Sequence, residues 1–178
     1  DGEDLGVVEA SFDAAVCRLG LMFFPDPLRG LREIHRALRP GGGVCTMVFS
    51  RPEKNPCLTI LMSTALKHAG LPARDPFVAG GLLSLGQPGR IDTLFKSAGF
   101  HDVATTALDA VFRLPSVDHY LAFVRSSASP ILQILGRLDA AGMTNQQRHA
   151  EVFFELAYLH AKRGLRHVQL FGRARHVA

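Results

Sequence analysis

Few side chains in this sequence have the types and spacing that a reaction centre needs. The histidines lack the His-x-His and His-x-x-x-His spacings of a metal site, and Cys17, Cys45 and Cys57 form no Cys-x-x-Cys pair. Ser84 stands in Leu-Leu-Ser-Leu-Gly, which lacks the first glycine of the Gly-x-Ser-x-Gly turn of hydrolases. These patterns argue against both a metal site and a hydrolase.

Two further patterns point to an anionic ligand only weakly. Residues 40–43 read Pro-Gly-Gly-Gly, but neither a Gly-x-Gly-x-x-Gly pattern nor a Lys-Ser/Thr pair follows, so they predict a turn and not a phosphate-binding loop. Residues 156–178 carry basic residues and no carboxylate, without a nucleic-acid recognition motif. We favour a solvated basic face there, with RNA as the alternative.

Composition sets the class of protein that must position any site. The chain has 178 residues, 47% of them hydrophobic and 20% charged, and a net charge of +4, which suits one folded domain and excludes a disordered chain. No apolar run approaches the roughly 20 residues of a membrane-spanning helix. Three cysteines are an odd number, which favours a reducing, cytoplasmic setting. Because the chain begins at Asp1 without a leader, we expect a fragment or a processed chain.

The first half of the sequence alternates strands with helices. Residues 12–18 predict a buried strand that continues through 19–24. Asp26 and Pro27 are typical of a helix cap and first position, and the apolar spacing from Leu28 to Leu38 predicts a helix that ends at Pro40. A second strand follows over 44–49, and a second helix begins after Asn55 and stops at Gly70.

The second half begins with an irregular connection over 70–90, rich in glycine and proline, of the kind that often carries binding residues. A short helix around 91–98 and a strand over 103–114 follow. Helices are predicted over 117–124, over 130–138 and from Thr144, and a last strand over 167–174. This order predicts an α/β fold with a mostly parallel sheet and one late antiparallel strand.

Several stretches together resemble the class I S-adenosylmethionine-dependent methyltransferases, most closely the small-molecule branch that includes quinone-biosynthesis C-methyltransferases. The stretches are residues 1–5, 11–16, 24–27, 32–42, 96–103 and 172–173. The resemblance implies a truncated Rossmann-like methyltransferase fold, with strands four to seven of a seven-stranded sheet. It implies one partial domain, in which residues 1–115 and 165–178 form the sheet and its flanking helices and 116–164 form a helical, lid-like insertion.

The family's Gly-rich loop after its first strand, and the acidic residue that ends its second strand, have no counterpart in this sequence. We therefore expect the isolated chain to bind S-adenosylmethionine weakly or not at all. In the family the strand matched by residues 12–18 lies beside the first strand, so its edge should be exposed and should invite pairing. Either a longer protein covers this edge, or the chain forms a homodimer through it.

The resemblance also assigns site residues, each with a simpler alternative. Asp1 and Gly2 match the pair that contacts the adenine, although a first residue can also fray. Arg18, Leu19 and Gly20 match the segment beside the methyl-bearing sulfur, although Leu19 could be a core residue. The remaining candidates are aromatic or basic residues near the methyl acceptor, with packing or surface roles as the alternative: Phe23, Phe24, Tyr120 and, as general base, His119.

Two functions remain open at this point. The first is transfer of a methyl group from S-adenosylmethionine to a small acceptor, which needs mainly alignment of the reacting atoms and so leaves no conspicuous catalytic motif. The second is a non-catalytic, methyltransferase-like module that serves in self-association or partner binding.

Overall fold

A mixed four-stranded sheet organises the protein. The computed structural model describes residues 1–111, 115–127 and 167–175. In chain order, the elements are β1 (Phe12–Arg18), α1 (Pro27–Ala37), β2 (Leu38–Phe49), α2 (Pro56–His68), α3 (Arg90–Ser97), β3 (His101–Val111), α4 (Val117–Ser127) and β4 (His167–Arg175). The strands follow the order β1-β2-β4-β3. β1 runs parallel to β2, and β4 runs antiparallel to β2. The predicted α/β class and late antiparallel strand are confirmed.

Helix α1 forms where the capping residues predict it. The Asp26 carboxylate accepts hydrogen bonds from the backbone N–H groups of Leu28 (3.0 Å) and Arg29 (3.1 Å), and Pro27 occupies the first helical position. The helix buries Leu31, Ile34 and Ala37. The apolar spacing in the sequence therefore marks the side of α1 that packs into the core.

The predicted end of α1 at Pro40 is wrong by three residues. The helix stops at Ala37, and β2 begins at Leu38, so the Pro-Gly-Gly-Gly stretch lies inside a strand instead of in a separate turn. The pairing of β1 with β2 jumps from Phe12↔Leu38 to Ala14↔Gly43, which means that the residues between Leu38 and Gly43 bulge out of the ladder. Gly41, at φ +78°, supplies the left-handed conformation that this bulge requires.

Strand β1 is less buried, and shorter, than the sequence predicts. It lies at an edge of the sheet, and Phe12 and Val16 are 47% and 78% exposed on one face of it. The expected continuation through 19–24 is also wrong. Leu19 adopts φ +54°, and residues 21–23 form a 3₁₀ turn that buries Leu21 and Met22 in the core. Apolar type alone does not distinguish an edge strand from a central one, or a strand from a buried turn.

The core lies against the other face of the sheet. Val44, Thr46 and Val48 of β2 point to this face and are buried, and α1 contacts both β2 and α3. Phe95 of α3 and Phe100 join this core; the Phe100 ring meets Phe95 at a centroid distance of 5.3 Å and the edge of His35 at 5.0 Å. Aromatic packing thus joins α1 to the α3–β3 connection.

The chain divides into two compact units. The first comprises residues 1–55, 75–110 and 168–178 and holds most of the sheet; the second comprises 56–74 and 111–167 and includes α2 and α4. The predicted helix around 91–98, the first helix after Ser116 and the irregular connection over 70–90 are confirmed. The helices predicted over 130–138 and from Thr144 lie outside the described residues. Among the helices that the structure describes, none is long and apolar enough to cross a membrane.

Candidate active site at the carboxyl ends of the parallel strands

The parallel strands β1 and β2 end at the same edge of the sheet, which is where open α/β sheets bind ligands. Arg18 ends β1 and is exposed. The next residue, Leu19, donates its N–H to the Met47 carbonyl of β2 (2.8 Å) while its φ of +54° turns the chain away from the sheet. This conformation is uncommon for a residue with a side chain, and it sets the direction of everything that follows β1.

Gly20 begins the turn that carries the predicted aromatic residues. A Cβ at Gly20 would lie 3.2 Å from the Cys17 Sγ, so the backbone approaches the end of β1 closely. The Gly20 carbonyl accepts a hydrogen bond from the Phe23 N–H (2.9 Å). The Phe23 side chain is 50% exposed beyond this turn. The geometry therefore gives the segment after β1 a fixed backbone and an accessible aromatic side chain.

The predicted adenine contact, Asp1 and Gly2, forms a second turn in the same unit. Asp1 Oδ1 accepts the Glu3 N–H (3.0 Å), and the Asp1 carbonyl accepts the Asp4 N–H (3.3 Å). The carboxylate is exposed. An ionised carboxylate has about four lone-pair sites, so Asp1 retains capacity to accept an exocyclic amine. The residue types at this turn thus fit the group that the resemblance implies.

Glu3 connects this turn to the start of α1. Its Oε1 accepts the Asp26 N–H (2.6 Å), and its carbonyl accepts a hydrogen bond from Arg29 Nε (3.1 Å). Both partners stand at the N-terminal end of the helix, where a carboxylate is also favoured by the helix dipole. The first turn of α1 therefore holds the Asp1–Gly2 turn in place.

The segment that follows is held along α1 by an ion pair that sequence reasoning missed. Glu33 accepts a hydrogen bond from the Leu5 N–H (3.3 Å), and Arg36 donates one to the Val7 carbonyl (3.0 Å). The two side chains also bond each other at 2.9 Å, and this hydrogen bond from Arg36 is the main cause that lowers the pKa of Glu33. The Glu-x-x-Arg spacing in the sequence could have predicted this ion pair, but it does not predict that the pair binds the backbone of Leu5 and Val7.

The irregular connection reaches the carboxyl ends of both parallel strands. Ser84 Oγ donates a hydrogen bond to the Met22 carbonyl (2.9 Å), which belongs to the turn after β1. Gly86 lies against the end of β2, because a Cβ there would be 2.6 Å from the Ser50 carbonyl oxygen. Leu83 and Leu85, between and beside these contacts, are buried. We call residues 83–86 the clamp segment.

Asn55 fixes the chain that follows β2. It is completely buried, and its Nδ2 donates to the Ser50 carbonyl and to the Arg51 carbonyl, both at 3.0 Å. The two N–H groups of this buried amide are shared among three acceptors, the third being Ser50 Oγ, which leaves the turn little freedom. Asn55 also directly precedes α2, which begins at Pro56 as the sequence predicts, but nothing local in the sequence indicated these side-chain contacts.

The clamp segment supports a stability prediction. Ser84→Ala would leave the carbonyl of Met22, a residue that is 1% exposed, without its hydroxyl donor. We expect a loss of about 1–3 kcal/mol in the free energy of unfolding, measured by urea denaturation. Ser63→Ala is the matched control, because Ser63 is exposed and its hydroxyl donates to the Ile60 carbonyl of its own helix. Equal stability of the two variants would contradict the role given to Ser84.

The other two candidates, His119 and Tyr120, lie in the second unit at the start of α4. Ser116 Oγ lies 3.0 Å from His119 Nδ1 and accepts the His119 N–H (3.2 Å), so it caps the helix and orients the ring. Burial raises the pKa of the Tyr120 phenol far above its usual value, with the nearby Cys57 thiol as a smaller cause. Tyr120 therefore stays protonated near neutral pH and suits a hydrogen-bond donor.

The candidate residues thus fall into two groups. Of the first group, the structure brings Gly2 into contact with Phe24 and places residues 18–24 at the carboxyl end of β1. His119 and Tyr120 are adjacent on α4 of the other unit. Within the described ranges, no cluster of histidine, cysteine, aspartate or glutamate could hold a metal ion.

Comparisons with known proteins relate these residues to methyltransferases. Residues 1–46 match the model of a methyltransferase domain. Over 111 residues the chain is 32% identical to a demethylmenaquinone methyltransferase of Corynebacterium kroppenstedtii, covering 58% of this chain and 48% of that protein. Over 102 residues it is 28% identical to a demethylmenaquinone methyltransferase of Deinococcus radiodurans, covering 52% and 42%. The chain thus spans less than half the length of either curated relative.

The fold agrees with these sequence matches. The YcgJ protein of Bacillus subtilis superimposes with a TM-score of 0.50 at 14% identity, over 99% of this chain and 69% of that one. At this identity the likeness concerns the fold alone. The matched methyltransferase domain, the relatives and the partial Rossmann-like sheet together make this chain similar to S-adenosylmethionine-dependent methyltransferases.

Proposed function

We propose that the protein transfers a methyl group from S-adenosylmethionine to a small-molecule acceptor. The observation that carries the proposal is the location of residues 1–46, the stretch matched to a methyltransferase domain. They form the Asp1–Gly2 turn, β1, the turn after β1, α1 and most of β2, which belong to one compact unit. The matched residues therefore include the segment after β1, at the edge of the sheet where a ligand is expected.

The first unit supplies the residues that would hold the cofactor. Asp1, whose carboxylate is exposed, would accept the exocyclic amine of the adenine, and Gly2 keeps the turn free of a side chain. Arg18, Leu19 and Gly20 line the region of the sulfonium, where the left-handed Leu19 fixes the backbone. S-adenosylmethionine, when bound, supplies an activated methyl group whose carbon–sulfur bond breaks as the acceptor attacks, leaving S-adenosylhomocysteine.

The acceptor is proposed to be a small aromatic ring. Both curated relatives are named demethylmenaquinone methyltransferases, which supports a quinone-like acceptor for this chain. The exposed ring of Phe23 suits such a ligand, and Tyr120 is a second candidate for contact with the acceptor. His119 is proposed to take the proton of an acceptor hydroxyl, since imidazole is the side chain that serves most often as a general base. Tyr120, protonated, would donate a hydrogen bond to the acceptor.

The domain organisation is proposed to follow the same plan. Residues 1–115 and 165–178 form the sheet with its flanking helices, and 116–164 form the helical insertion that carries His119 and Tyr120. We propose a cytoplasmic location, because none of Cys17, Cys45 and Cys57 is in a disulfide.

We also propose a homodimer through β1. This strand is at the sheet edge, and Val16 on its outer face is 78% exposed. An uncovered edge strand with apolar side chains is a surface that pairs readily with another strand. Light scattering should give twice the chain mass, and Val16→Lys should shift it towards the monomer. A monomer at all concentrations would reject this pairing.

The test of the proposed activity is transfer of labelled methyl from S-adenosylmethionine to a demethylated naphthoquinol. Because the chain alone is expected to bind S-adenosylmethionine weakly, we expect labelled product only at high concentrations of chain and cofactor, and we expect His119→Gln to slow its formation by about 10²–10⁴-fold. His101→Gln is the matched control, because His101 is an exposed histidine at the start of β3 and should leave the rate unchanged. The absence of both cofactor binding and transfer to any small acceptor, even at high concentrations, would instead favour the non-catalytic module, which lacks the cofactor loop.

A further inference from the structure

The ring of Phe24 occupies a slot between two glycines. A Cβ at Gly2 would lie 2.2 Å from Phe24 Cζ and 2.5 Å from Cε2. A Cβ at Gly30 would lie 2.4 Å from Cδ2 and 2.5 Å from Cε2 of the same ring. Cβ atoms in proteins do not approach other atoms this closely, so the ring fits only because neither position carries a side chain.

The slot joins two different parts of the first unit. Gly2 belongs to the turn with Asp1, while Gly30 is a buried residue of α1. The two backbones themselves are close, because a Cβ at Gly30 would also lie 3.3 Å from the Gly2 carbonyl oxygen. The hydrogen bonds of Glu3 to Asp26 and Arg29 lie beside the slot and also hold the Asp1–Gly2 turn against α1.

We infer that Phe24 is a positioning residue, whose ring fixes the Asp1–Gly2 turn onto α1. In the proposed enzyme this is the turn that contacts the adenine, so the adenine part of the inference rests on the proposed function. The role differs from that of a wall of the acceptor pocket. The exposed neighbour Phe23 remains free for that task, whereas the tip of the Phe24 ring is already in contact with Gly2.

The ring atoms that a Cβ at Gly2 would meet suggest a rescue experiment. These atoms are Cζ, Cε2 and Cε1, none of which exists in leucine. We expect Gly2→Ala to displace the turn and to raise the hydrogen-exchange rate of the Leu5 N–H, which bonds Glu33, by about tenfold or more. Adding Phe24→Leu should restore the slow exchange of Leu5, read by NMR on the full chain.

Gly30 provides the matched control. A Cβ there meets Cδ2, an atom position that leucine retains, so Phe24→Leu should not rescue Gly30→Ala to the same extent. Unchanged exchange in Gly2→Ala, or equal rescue of both glycine variants, would overturn the inference. This readout requires no bound cofactor.

Titration with adenosine in the same NMR experiment tests the link to function. In the wild type, we expect adenosine to shift the amide signals of residues 2 and 3. These shifts should be weaker in Gly2→Ala, and the double variant should regain them. The positioning role would be overturned if the double variant restores the slow exchange of the Leu5 N–H while Gly2→Ala alone binds adenosine as the wild type does. A rescued exchange with no adenosine response in the wild type would count against the proposed adenine contact and leave the ring slot established.

Discussion

Phe100→Ala should lower the free energy of unfolding by about 3–5 kcal/mol, the usual cost of removing a buried aromatic ring. Phe100 is 1% exposed, and its ring packs against Phe95 and against the edge of His35. The deletion would open a cavity where α1 meets the α3–β3 connection. Urea denaturation with a single linear extrapolation measures the change.

Phe123→Ala is the control for this prediction. Phe123 is 50% exposed on α4, and alanine is a better helix former, so we expect a change of less than about 1 kcal/mol. Similar losses in the two variants would mean that Phe100 does not belong to the core that fixes the first unit. If neighbouring side chains move into the cavity left by Phe100→Ala, the loss in the free energy of unfolding should lie near the lower end of the expected range.

Gly86→Ala should destabilise the protein by about 1–3 kcal/mol or more, although it adds a single methyl group. The new Cβ would lie 2.6 Å from the Ser50 carbonyl oxygen and 2.8 Å from its carbonyl carbon. Both are backbone atoms, and Asn55 holds the same carbonyl in place. The rotation of a side chain therefore cannot relieve this clash. The clamp segment would have to leave the end of β2.

Gly43→Ala separates this effect from the general cost of losing a glycine. Nothing lies within 4 Å of a Cβ at Gly43, which is also in the first unit. We expect it to be neutral or slightly stabilising, because alanine restricts the unfolded chain. Thermal or urea unfolding of both variants gives the comparison, and a Gly86→Ala protein as stable as Gly43→Ala would contradict the clamp.

Local sequence signals predicted the elements well. The Asp26-Pro27 pair marked the start of α1 because a side-chain cap and a fixed proline φ act within one turn. The run of glycines and prolines over 70–90 marked an irregular connection for a similar local reason. The class of fold followed from the alternation of these elements, since parallel strands need crossover connections.

The contacts that shape the candidate site were not predictable in this way. Ser84 bonds the Met22 carbonyl across 62 positions of the chain, and no periodicity carries that information. The turn at Leu19 depends on the hydrogen bond to Met47, which overrides the extended conformation that the apolar run 19–24 indicated. The slot for Phe24 needs two glycines 28 positions apart. Each depends on packing between segments, which one sequence does not display.

Calorimetric titration with S-adenosylhomocysteine tests most directly whether this chain contributes to a cofactor site. At high chain concentration we expect weak but saturable binding, because the turn and the residues after β1 would supply part of the contacts. Asp1→Asn should weaken the binding by about tenfold or more, the cost of losing a charge-assisted hydrogen bond. Asp4→Asn, a neighbouring exposed carboxylate, should match the wild type. No saturable binding by the wild type, or equal affinities in the two variants, would contradict the cofactor contact proposed for Asp1.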